Sequence, residues 1–213
     1  MTGVVPSFWI GTPDCADSLD EAALAPDARE TLASLATDSR RRDWRASRAL
    51  LQRAAPAGGA TVSLSHSRGY AAVLVGAQGT RVGVDLETTA RRRWGALATF
   101  AFAPEEARAL AALDGDTCRR EFLIRWTLKE AFTKALGIPL TVALRDCVIR
   151  RDAAGRWSGV VPAAEPWHAC VYEGFDECVV AAVVVGGAAT APPAPTPWPD
   201  APVVEIARFS RAD

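Results

Sequence analysis

"TRVGVDLE", residues 80–87, alternates at the period of a β-strand, with Val82, Val84 and Leu86 on one face and Gly83, Asp85 and Glu87 on the other. Two carboxylates two residues apart on one strand face repel each other unless water or a cation separates them. Upstream, "TVSLS" (61–65) and "YAAVLVG" (70–76) give two more strand signals, and a Gln78-Gly79 turn joins the second of them to residues 80–87. Downstream, "RWTLKEAFTKALG" (125–137) belongs to a helix over about 117–136 that Gly137 and Pro139 stop. On that helix Glu130 precedes Lys134 by four residues. By itself such a pair is an ordinary surface contact of ~0.3–0.5 kcal/mol.

Working outward, "SFWIGT" (7–12) reads as a strand and about 18–35 as helical, with Pro26 near a helical start. Asp38 is a candidate N-cap for "SRRRDWRASRALLQRAA", whose Trp44 and Leu51 share one face while Arg41, Arg45 and Arg48 line another. "FAPEEARALAAL" (102–113) is a second-half helix with Glu105 and Glu106 in its first turn, where the macrodipole favours them. Beyond residue 137, "TVALRDCVIRRD", "GRWSGVV", "WHACVYE" and "CVVAAVVV" read as four strands. The order helix then strands, followed by helices then strands, predicts an α+β fold of two lobes: 1–90, 91–190, and a Pro-rich tail over 191–213. In that tail "PVVEIARF" is a candidate edge strand or dangling end.

Composition narrows the function. Of 213 residues, 24 are Lys or Arg and 25 Asp or Glu, a formal net charge of −1, so no global field draws the chain to nucleic acid or an anionic membrane. Any RNA role would rest on the arginine-rich helix alone, which has no interleaved aromatic motif. The valine-rich run 178–189 suits a buried strand and is too short for a bilayer. Five cysteines without a C-x-x-C pair, and an N-terminus without a charged and then apolar leader, lead us to expect a reduced, cytoplasmic chain. His66 and His168 are too few and too isolated for a zinc site. There is no G-x-x-x-x-G-K-[ST] loop and no G-x-G-x-x-G.

What does converge is a strand ending in Asp85 and Glu87, a helix with Glu130 and Lys134, and a row of arginines. Mg²⁺ commonly sits on one or two carboxylates plus substrate phosphate oxygens, and Arg and Lys neutralise the phosphate charge that remains. "SLSHS" (63–67), "VGVDLE" (82–87) and "RWTLKEAFTKALG" (125–137), in this order and spacing, resemble the signature of the surfactin-synthetase-type 4′-phosphopantetheinyl transferases. The resemblance spans about residues 39–140. It implies a pseudo-two-fold α+β monomer with the active site in the cleft between the lobes. The implied reaction moves 4′-phosphopantetheine from coenzyme A to a serine of an apo acyl or peptidyl carrier protein of polyketide or nonribosomal-peptide synthesis. It releases adenosine 3′,5′-bisphosphate.

By position in the motifs, the resemblance makes Asp85, Glu87 and Glu130 the ligands of Mg²⁺ or Mn²⁺, and Glu130, Lys134 and Asp85 the catalytic residues. It makes Arg45, Arg48, Ser65, His66, Lys129 and Lys134 contacts for coenzyme A, and Glu106 a glutamate usual at that helix start. The chain departs from the pattern ahead of Ser63. "AAPAGGATVSLSHS" has no Gly-Lys-Pro-like loop, and Val62-Ser63 stand where an aromatic-Asn pair is usual, so arginines of 40–53 become the candidates for the 3′-phosphate. A non-catalytic CoA or carrier-protein binding module of the same fold is the competing expectation.

Overall fold

The computed structural model describes residues 4–56, 58–88, 94–174, 178–186, 191–198 and 203–211. β1 (Ser7–Gly11), a 3₁₀ turn (Pro13–Ser18), α1 (Pro26–Ser34) and α2 (Asp38–Ala54) lead into β2 (Thr61–Ser67), β3 (Tyr70–Gly76) and β4 (Arg81–Glu87). α3 (Trp94–Ala101), α4 (Pro104–Ala111), α5 (Gly115–Leu136) and α6 (Leu140–Asp146) follow, and then β5 (Val148–Arg151), β6 (Trp157–Val160), β7 (Trp167–Gly174), β8 (Cys178–Val185), β9 (Pro195–Trp198) and β10 (Val203–Arg211). Two four-stranded sheets run β2-β3-β1-β9 and β10-β7-β8-β4, and β5-β6 form a separate ribbon.

The layers follow from strand alternation. On β8, Val180, Ala182 and Val184 face Phe8, Ile10, Ala72 and Leu74 of the first sheet. Its alternate residues Val179, Ala181, Val183 and Val185 face Ala131, Phe132 and Ala135 of α5. The first sheet in turn covers Ala46 and Leu50 of α2 with Ala71, Val73 and Val75. The molecule is therefore a mixed helix and sheet structure layered as α2, first sheet, second sheet, α5. A β8 buried along its whole length explains why it reads as a continuous valine run and not as an alternating one.

Several sequence expectations need correction. Residues 140–146 form α6, not a strand; Gly137 in the left-handed region ends α5, and the short helix turns the chain before β5. α2 is capped by Thr37, whose hydroxyl accepts from Arg40 N, so Asp38 is the first helical residue. The 78–79 turn forms, with Thr80 N donating to Ala77 O, but it carries the chain from one sheet to the other instead of closing a hairpin. The hairpin is β2-β3, turned through Arg68 and Gly69 at φ 52° and 89°. α3 was not expected.

The Pro-rich tail is built into both sheets. β9 pairs in parallel with β1, its prolines tolerated at an edge, and β10 pairs antiparallel with β7 as the other sheet's edge. Arg53 lies over the rings of Trp9 and Trp198, at 5.9 and 5.3 Å, and fastens β9 to α2. The expected division near residue 90 lies outside the described residues. Among the described residues, no helix is long and apolar enough to cross a membrane.

Candidate active site

β2 and β4 are edge strands of different sheets, and a serine face on β2 stitches them together. Ser63 Oγ accepts from Val84 N at 3.0 Å, Ser65 Oγ donates to Asp85 Oδ1 at 2.9 Å, and Ser67 Oγ lies 3.4 Å from Thr88 Oγ1. α5 closes the seam. An added Cβ on Gly83 would lie 1.9 Å from Ala131 O, so helix and strand approach as closely as a glycine allows. This approach brings Lys134 Nζ to Val84 O at 2.9 Å, to Asp85 Oδ1 at 3.0 Å and to Leu64 O at 3.4 Å.

At the end of the seam opens a cavity of about 330 Å³ lined by Leu64, Ser65, His66, Ser67, Asp85, Leu86, Glu87, Glu130 and Lys134. Six of the expected site residues, Ser65, His66, Asp85, Glu87, Glu130 and Lys134, thus meet at one place. Asp85 is 3% exposed, and its Oδ2 is buried without a hydrogen-bond partner among the described residues. Leaving a buried carboxylate oxygen unpaired is costly, and a hard cation would relieve that cost. The donor set of carboxylate oxygens fits Mg²⁺ or Mn²⁺, although among the described residues no three His, Cys, Asp or Glu already stand gathered around one point. The negative field is felt nearby: burial, then Glu87 and Asp85, push the Cys178 thiol far above its ordinary range.

His66 sits at the rim. Partial desolvation, with Lys134 and Arg48 adding to it against the pull of Asp43, holds its imidazole below the ordinary value of 6.5. The unfolded chain therefore takes up this proton first, so stability falls as pH drops from 6.5 through the lower folded value. An NMR pH titration should place the His66 midpoint below 6.5; a midpoint above 6.5 would contradict this electrostatic picture.

Three expected coenzyme A contacts are placed elsewhere. Lys129 is fully buried on the far face of α5, donating to Glu106 Oε2 at 2.6 Å and to Leu144 O at 2.5 Å, so it cannot reach a ligand in the cavity. A helix turns neighbours by about 100°, which is why residues 129 and 130 part company. Arg45 is paired with Glu21. Arg48 lies over the Trp44 ring at 5.0 Å, outside the lining yet close enough to His66 to act on its proton. Ser63 and Ser67 were missed as seam residues. Their signal was the period-two spacing of serines 63, 65 and 67, which marks one polar face of a strand.

Comparison with known proteins bears on this seam. The family model of the 4′-phosphopantetheinyl transferase superfamily matches residues 81–184, from β4 to the end of β8. A Synechocystis sp. protein, provisionally named as a 4′-phosphopantetheinyl transferase, is 32% identical over 87 residues, 40% of this chain. The matched segment spans 35% of that curated relative's length. Two solved structures are similar at lower identity. A holo-(acyl-carrier-protein) synthase from Bacillus anthracis in complex with CoA (3′,5′-ADP) is 20% identical with a TM-score of 0.41, covering 49% of this chain and 94% of that one. A Chronobacterium ammoniagenes ACPS-CoA complex is 19% identical with a TM-score of 0.40, covering 51% and 97%.

Proposed function

We propose, from the match of residues 81–184 to the 4′-phosphopantetheinyl transferase superfamily and from the cavity at the end of β4, that this chain moves 4′-phosphopantetheine from coenzyme A to a carrier-protein serine, releasing adenosine 3′,5′-bisphosphate. The observation that carries the reading is Asp85 Oδ2, buried and without a partner among the described residues, in a cavity that Glu87 and Glu130 also line. Asp85, Glu87 and Glu130 would hold Mg²⁺ or Mn²⁺. When bound, the cation would neutralise charge on the pyrophosphate of CoA.

The chain's own residues supply the rest. Glu130, on the α5 face that lines the cavity, is positioned to take the proton of the attacking serine hydroxyl, directly or through a water. His66 at the rim offers an imidazole N–H to phosphate oxygens, and Arg48 adds positive potential behind it. Attack on a pyrophosphate phosphorus needs positioning and charge neutralisation more than a covalent nucleophile. The reading extends to a cytoplasmic monomer of the surfactin-synthetase type. Its two α+β lobes would be related by a pseudo-two-fold, and its partners would be apo carriers of polyketide or nonribosomal-peptide synthesis. The pairing of one helix with each sheet supports the lobes.

Glu130→Gln keeps the shape of the side chain and removes its basicity. We expect it to lower kcat by about 10²-fold or more, read as adenosine 3′,5′-bisphosphate released on chromatography; a kcat within about threefold of wild type would remove Glu130 from the chemistry. Because the Gly-Lys-Pro-like loop is missing ahead of Ser63, the specific competitor is a binding module that holds CoA without transferring from it.

A further inference from the structure

We infer that Asp43 of α2 is a positioning residue: by holding the turn between β2 and β3 against the helix, it fixes His66 at the rim of the cavity. The inference rests on the transferase reading for coenzyme A as the ligand that His66 meets. Its geometry belongs to α2 and the turn.

Between residues 39 and 53 Asp43 is the single acid among six arginines. A carboxylate so placed would ordinarily pair with a guanidinium. Among the described residues it pairs with none: Arg41 meets Asp38, Arg45 meets Glu21, and Arg48 lies over the Trp44 ring. Asp43 Oδ1 instead accepts from Gly69 N. Helical spacing puts Asp43 in line with Ala46 and Leu50, which cover the first sheet, so the acid stands where that stripe reaches the β2-β3 turn.

The turn needs this anchor. Arg68 and Gly69 both adopt positive φ, 52° and 89°, as a two-residue hairpin turn requires, and an arginine is strained there. Gly69 is buried, and an unpaired buried N–H is costly. A Cβ on Gly69 would lie 3.0 and 3.2 Å from Pro13 Cβ and Cγ and 3.5 Å from Arg42 Cδ, so the turn is wedged between the 3₁₀ turn and α2. Only Ser67 separates His66 from Arg68, and His66 stands opposite Ala71, in the second pair from the turn. A shift of the turn is therefore carried directly to the imidazole. Asp43 also favours the His66 proton, against Lys134 and Arg48, so acid and imidazole share one end of the contact between α2 and β2.

The test separates the hydrogen bond from the charge and from folding. Coenzyme A is titrated calorimetrically, with Mg²⁺, into wild type, Asp43→Ala, Asp43→Asn, His66→Ala and the double variant of Asp43→Ala with His66→Ala. Asparagine keeps an acceptor for Gly69 N, and alanine does not. We expect the coenzyme A Kd to weaken about fivefold in Asp43→Ala and to stay within about twofold of wild type in Asp43→Asn. In the His66→Ala background Asp43→Ala should add nothing, because its effect travels through the imidazole. Gly69→Ala, which pushes the turn off Pro13 with Asp43 intact, should weaken the Kd in the same way, and it decides alone if Asp43→Ala does not fold. A wild-type Kd in Asp43→Ala or Gly69→Ala, an asparagine variant as weak as the alanine one, or an undiminished loss in the His66→Ala background would each overturn the inference. Failure of the transferase reading looks different: wild type would then load no carrier, with or without binding coenzyme A, while the His66 ring signals in the NMR spectrum of the free protein would still shift in Gly69→Ala, a change without charge.

Discussion

Lys129→Met should melt roughly 10 °C below wild type, corresponding to a loss of about 3–5 kcal/mol. The lysine is fully buried, and its ammonium sits between Glu106 Oε2 and Leu144 O and over the Phe102 ring at 4.5 Å. Burial pulls its pKa below the ordinary lysine value, and Glu106 pulls the other way. Glu106 holds more than the lysine. Its Oε2 also accepts from Ala103 N at 3.1 Å and its Oε1 from Ile149 N at 2.8 Å, which fastens α4, α5 and β5 together. Removing the lysine strands a buried carboxylate, and that penalty exceeds the worth of the pair itself. Two apolar residues of matching volume, Lys129→Met with Glu106→Leu, should recover part of the loss. Circular dichroism melts of the single and double variants check this. A single-variant loss under about 1 kcal/mol would mean the pair is wetted.

Gly83→Ala should lower the denaturant midpoint by an amount corresponding to about 3 kcal/mol, the upper range of overpacking costs. The new methyl would meet Ala131 O at 1.9 Å and Ala135 N at 2.7 Å, both backbone atoms of α5 that no side-chain rotation can move aside. The helix must retreat from β4, and the retreat draws Lys134 away from Val84 O and Asp85. Cation affinity should therefore fall together with stability. Gly95→Ala is the control: its Cβ meets nothing within 4 Å, and alanine favours a helix. Equal midpoints for the two variants would contradict the close approach of α5 and β4.

Much of this was legible in the sequence because it is written in local periods. The alternation of residues 80–87 put Asp85 and Glu87 on one face, and the helical spacing of 130 and 134 put both on one side of α5; the structure brings these two faces together. What was not legible depends on partners distant in sequence. Lys129 and Lys134 look alike along the helix, yet one is buried against Glu106, 23 residues earlier, and the other reaches across 50 residues to Val84. The transfer of the chain between sheets at 77–80 follows from β8 lying ready to pair with β4, which no turn signal reports. The tail's "PVVEIARF" was legible as a candidate edge strand and forms β10, whereas the prolines of 195–198 suggested only extension and gave no sign of β9 pairing with β1. Residues 140–146 misread as strand because their β-branched and apolar content suits either state, and the helix is too short for its period to show.

The central claim is that the cavity at the seam of β2, β4 and α5 transfers 4′-phosphopantetheine. The most direct measurement is the intact mass of several apo acyl and peptidyl carrier proteins after incubation with the full chain, coenzyme A and Mg²⁺, alongside Asp85→Asn. The account predicts a gain of one phosphopantetheinyl group on a carrier, lost with EDTA and with the substitution. No gain on any carrier, with coenzyme A still bound, would contradict it and leave a binding module.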